Sequence, residues 1–93
     1  MIQNDKNDEI KRIEARIGEL DSLISAAAES QDSASVAALY FERGRARWRL
    51  GEKGKAISDY ECAASLDAAS PAAEALALAR RIMDFYNTDL YNP

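Results

Sequence analysis

The sequence predicts an all-α fold, and three observations carry that prediction. Apolar residues recur at three- and four-residue spacing along most of the chain. Alanine, which helices favour and which lets helix axes approach closely, supplies much of the 47 % apolar content. Two prolines and four glycines are too few to punctuate the many turns of a β-sandwich or barrel. The 93 residues fit a single domain spanning 1–93, and a core of that size leaves little room for an enclosed active site.

The elements follow in order. Asn4 and Asp5 are placed to cap a first helix, along which Ile10, Ile13 and Ile17 form an apolar line with Lys11, Arg12, Glu14 and Arg16 on the other face. The line continues through Leu20, Ile24 and Ala27. Periodicity alone leaves two readings, a break at Gly18 or one long helix from about residue 6 to 30 with a coiled-coil-like seam. The polar stretch 29–35 predicts a chain reversal. A helix follows from about Val36 to Leu50, stopped by Gly51, which suits the left-handed conformation just beyond a helix end. The next runs from about Lys53 to Asp67, with Ala56, Ile57, Tyr60, Ala63 and Ala64 inward and Ser58, Asp59, Glu61 and Ser65 outward. Ser70-Pro71 starts a last helix, since the serine hydroxyl accepts from a first-turn amide and proline lacks only an amide that would go unpaired. Its inner face is read as Ala75, Leu78, Ala79, Ile82, Phe85 and Tyr86, and Asn87-Thr88-Asp89 is expected to end it, leaving 90–93 as a non-helical tail.

An internal repeat bears on Gly18. The string Gly18-Glu19-Leu20-Asp21-Ser22-Leu23-Ile24 resembles Gly51-Glu52-Lys53-Gly54-Lys55-Ala56-Ile57, 33 residues later. That offset is one short of the period of tetratricopeptide repeats, each a helix, a tight turn and an antiparallel second helix. Residues 37–70 resemble one full repeat of this family, in the variant with an arginine-glycine pair in its first helix, here Arg43-Gly44. Tyr40, Leu50-Gly51, Ala56, Tyr60 and Ala63 stand at the other signature positions. Two positions depart from the pattern: Arg47 replaces a usual aromatic and Ala68 a common proline. The resemblance implies antiparallel helix hairpins in a short right-handed α-solenoid of about five helices. Its parts would be a degenerate N-terminal hairpin over 8–33, the full repeat, a capping helix over 71–86 and a tail over 87–93, in the manner of small bacterial members of the family.

The same residues narrow the chemistry. With no histidine, neither a Ser-His-Asp arrangement nor a histidine-based zinc site is available, and the lone Cys62 supports no multi-cysteine site. Cys62 reads as a buried or inert thiol. Gly51-Glu52-Lys53-Gly54-Lys55 lacks the spacing of a phosphate-binding loop and reads as a hairpin turn. Asp5, Asp8 and Glu9 suit a helix N-terminus, and Asp59 and Glu61 read as solvated. No enzyme activity, metal or cofactor is therefore expected. A net charge of −4 offers nucleic acid or an anionic membrane no general attraction. The polar opening and the absence of a long apolar run suggest a cytoplasmic protein.

The most suggestive cluster is Arg43, Arg45, Arg47 and Arg49 interleaved with Trp48. At 100° per residue Arg45 and Arg49 share one face, and Arg43 and Arg47 another. The family resemblance places Phe41, Arg45, Trp48 and Arg49 on the concave surface where repeat proteins hold peptides. The expected function is a scaffold-like protein-interaction module with those four as partner-binding residues, favouring an acidic or carboxylate-ended ligand because guanidinium pairs with carboxylate bidentately. The alternative is a self-associating structural protein: fewer than three repeats leave apolar faces to cover, and a homodimer would cover them.

Overall fold

The computed structural model describes the backbone of residues 2–91 and the side chains of residues 5–85. Four helices, and no strand, occur among the described residues: α1 (Ile2–Ala27), α2 (Ser33–Arg49), α3 (Lys53–Leu66) and α4 (Ala72–Tyr91).

The first departure from the sequence reading is at Gly18. The expected hairpin there does not form, and the helix count falls from about five to four, because α1 runs unbroken for 26 residues. A glycine inside a helix costs about 1 kcal/mol against alanine, which a continuous seam ending in buried Leu20 and Ile24 readily outweighs. Gly18 is exposed and a β-carbon there would meet nothing within 4 Å, so no close approach calls for a glycine. α1 also begins ahead of the expected caps, which puts Asp5 inside its first turn.

The turn into α2 comes earlier than the apolar pattern suggests. Asp32 accepts a hydrogen bond from the Ser35 amide at 3.2 Å and from the Ser35 hydroxyl at 2.6 Å, so the helix starts at Ser33. Its other end follows expectation. Gly51 takes φ +85°, its amide donates to the Trp48 carbonyl at 3.0 Å and the Glu52 amide donates to the Arg47 carbonyl at 2.9 Å. That pair of bonds is a Schellman motif, and it turns the chain within three residues. Ser70 caps α4 by accepting from the Ala72 amide at 3.1 Å. α4 then continues past the expected stop at Asn87-Thr88-Asp89 to Tyr91; the side chain of Tyr86, read as part of the inner face, and the last two residues lie outside the described residues.

Cross-helix contacts fix the directions. Glu9 meets Arg49 and Asp21 meets Arg43, so α1 and α2 run antiparallel. Ala37 clusters with Ala63 and Gly44 abuts Tyr60 and Ala56, so α2 and α3 do too. Ala63 clusters with Ala72 and Ala56 with Ala79, which makes α3 and α4 a third antiparallel pair. The extensive contacts join each helix to the next in sequence, giving a row and not a closed bundle. The radius of gyration of 15.0 Å exceeds the roughly 12 Å of a compact chain this long, and the row is only 18 Å thick.

Small residues set the spacing inside the row. Ala37, Ala56, Ala63, Ala72 and Ala79 are buried, and Tyr60 fills the space they leave. At Gly44 a β-carbon would stand 2.7 Å from the Tyr60 ring and 3.2 Å from the Ala56 carbonyl oxygen. The arginine-glycine pair therefore holds α2 and α3 at close approach.

Candidate functional site

α2 divides its arginines between two jobs. Arg43 and Arg47 turn toward α3 and share Asp59, which is 2 % exposed. Arg43 donates to both Asp59 oxygens, Nε at 3.0 Å and Nη2 at 2.8 Å, and Arg47 donates to Oδ2 at 3.1 Å. Arg43 also reaches Asp21 on α1 at 2.8 Å, so one guanidinium ties three helices together. The hydrogen bonds Arg43 donates to Asp59, with the one it donates to Asp21, hold its pKa above the ordinary value. Asp59, expected to be solvated, is thus a buried structural anion. A buried carboxylate needs opposite charge and hydrogen bonds at once, and the two arginines supply both. The signal in the sequence was two arginines four residues apart on a helix whose one acid, Glu42, is taken by Arg16; register across the hairpin was needed to find their partner.

The second pair faces elsewhere. Arg45 and Arg49 line an open groove of about 660 Å³ between α1 and α2, with Asp5, Glu9, Arg12, Ile13, Arg16, Glu42 and Ala46. Three ion pairs neutralise charges there, across the helices or along α1: Arg16 donates to Glu42 at 2.6 and 3.0 Å and to Glu19 at 2.9 Å, and Arg49 pairs with Glu9 at 2.8 Å. The Arg16 hydrogen bonds hold the Glu42 carboxyl below its usual range. Arg45 and Arg12 make no ion pair with a described residue. The Arg45 guanidinium sits 5.8 Å from the Phe41 ring centroid, and Arg12 donates only to the Asp8 carbonyl at 3.4 Å.

The four residues expected to bind a partner are therefore split. Phe41 is partly buried against both core clusters, its ring 5.9 Å from Tyr60, and Trp48 packs on the Ala56–Tyr60–Ala79 cluster with Lys53 5.4 Å from its ring. Arg45 and Arg49 belong to the groove, and Arg49 is engaged by Glu9. Arg12 is the groove residue that reading α2 alone could not identify, because α1 brings it there. Cys62 is exposed, beside Tyr40, Glu61, Ser65 and Leu66.

Among the described residues no group of His, Cys, Asp or Glu is arranged to hold a metal ion, and no helix is long and apolar enough to cross a membrane. No protein-family model, no curated protein and no solved structure matches the chain.

Proposed function

We propose that this chain is a protein-interaction module that holds an acidic segment of a partner in the groove between α1 and α2. One observation carries the reading: Arg45, exposed, oriented over Phe41 and in no ion pair with a described residue, lies in the same groove as Arg12, which likewise makes none. An arginine on an aromatic face is held in position without being neutralised, and its planar fork remains open to a carboxylate. With Arg12 beside it, also outside any ion pair with a described residue, the groove fits a ligand with an acidic side chain or a terminal carboxylate. Arg16 and Arg49 are already paired and contribute walls.

The row of antiparallel helices, the turn at Gly51 and the Gly44–Tyr60 contact support reading α2 and α3 as one tetratricopeptide-type repeat, with α4 as its cap and the row as a short solenoid. In such arrays the exposed surface, not an enclosed cavity, does the binding. The test is selection of a displayed random peptide library on the protein, followed by affinity measurements on R45E and R12E. Selected peptides should be rich in Asp and Glu and lose at least about tenfold in affinity on either variant, with helicity and melting unchanged. Peptides without acidic enrichment, or equal affinity for R45E, would refute the groove.

A further inference from the structure

α4 turns the wrong part of its apolar stripe inward for the stripe to be spent on the core. Ala72 and Ala79 are buried, with Ala75 and Leu76 packed beside them, because alanine lets α4 lie close to the alanine-rich α3. Leu78, expected inside, is instead 58 % exposed, Phe85 is 76 % exposed and Ile82 only partly covered. Leu78, Ile82 and Phe85 succeed one another at spacings of four and three, the alternation that keeps a seam facing a second helix. Beside the seam stand Glu74 and Arg81, seven residues apart and so at the same position of the repeat. Both are exposed, and neither makes an ion pair with a described residue, whereas neighbouring Arg80 is held by Glu61 at 2.9 Å.

We propose that α4 is a homodimerisation helix: two copies pack α4 against α4 antiparallel across a twofold axis at Leu78, each Glu74 pairing with the partner's Arg81. The occupant follows from charge. Glu74 lies four residues before Leu78 and Arg81 three after it, so a twofold at Leu78 brings Glu74 level with the partner's Arg81 to within one residue's rise, about 1.5 Å. The relation holds twice, as a self-complementary twofold contact requires. A parallel pair would set Glu74 level with Glu74 and Arg81 level with Arg81, without either cross-pair. This surface lies on α4, apart from the α1–α2 groove, and the proposal does not depend on what the groove binds.

Light scattering across a concentration series should give twice the 10.2 kDa chain mass. L78D should return a monomer of undiminished helicity, since Leu78 contributes little to the core. E74R and R81E should each weaken the dimer about tenfold through two like-charge contacts that only the antiparallel arrangement creates, and an equimolar mixture of E74R with R81E should recover wild-type affinity, because the mixed pair brings opposite charges together at both ends. A wild-type chain that stays monomeric to about 1 mM, the limit of weak association, would overturn the proposal. So would a dimer indifferent to L78D, or a mixture no tighter than its components.

Discussion

Asp59 shows how much one side chain carries in a protein this small. Its carboxylate is 2 % exposed and holds two arginines, one of which also grips Asp21. Removing the charge leaves Arg43 and Arg47 partly buried without their anion, a loss of about 3 kcal/mol for a buried pair broken from one side. Asp21 is half exposed, and exposed pairs contribute less than about 1 kcal/mol. Urea unfolding should therefore give D59N a midpoint far below wild type and D21N one close to it; equal midpoints would show that the α2–α3 charge cluster is not a stability determinant. The residue identities were plain in the sequence, but Asp59 read as solvated because its neighbours in the chain, Ser58 and Glu61, are polar. Only the pairing of α2 with α3 makes that position an interior one.

At the scale of an element, the ends marked by Gly51 and Ser70 were legible and helix continuity was not. Gly51 and Ser70 act through groups a few residues away and were seen, whereas Asp32, equally local in its bonds to Ser35, was hidden in a uniformly polar stretch. The question at Gly18 is different, because a glycine in a helical pattern stops a helix only when nothing beyond it rewards continuing. Leu20 and Ile24 are that reward. The two glycines should consequently respond in opposite directions to alanine. G18A meets open space and should stabilise by about 0.5–1 kcal/mol through helix propensity. G44A drives a β-carbon into the Tyr60 ring, and an overpacking cost of about 1–3 kcal/mol should outweigh the same propensity gain. Thermal melts of the pair decide it: two stabilising substitutions would mean that the α2–α3 spacing is slack.

For the whole molecule, the row of helices leaves both outer helices covered on one side only. α1 is buried where Leu20 and Ile24 meet α2, whereas Ile10, nearer its N-terminus, is 44 % exposed. α4 buries alanines and presents Leu78. Joining the row is partly electrostatic work, and this sets the pH response. Glu42, held low by its hydrogen bonds from Arg16, and Asp32, held low by those from Ser35, titrate below the ordinary carboxylate value of about 4. Their stabilisation is complete above the unfolded value and is lost as pH falls through the lower folded one. Burial pushes the Tyr60 hydroxyl up, so its contribution is complete below about 10 and is lost as pH rises through the higher folded value. With no histidine in the chain, stability should be flat from about pH 5 to 8 and fall on either side. The acid decline should be shallower in D32N/E42Q, as measured by urea midpoints; an unaltered acid decline would remove these two groups as its source.

By itself the sequence determined the all-α class, the existence and approximate place of the last three helices, the stop at Gly51 and the start at Ser70, and the small-against-large packing of Gly44 and the alanines on Tyr60. All of these depend on residues close along the chain or on composition within one helix. Tertiary structure alone decided that α1 runs through Gly18, that Asp59 is an interior anion, that Arg12 joins Arg45 in a groove, and that Leu78 faces out while Ala72 and Ala79 face in. The reason is common to all four. Each apolar stripe is wider than the contact it makes, and each charge has several partners within reach, so the choice among them is made by the register of one helix against the next, to which residues 12 to 40 positions apart contribute together.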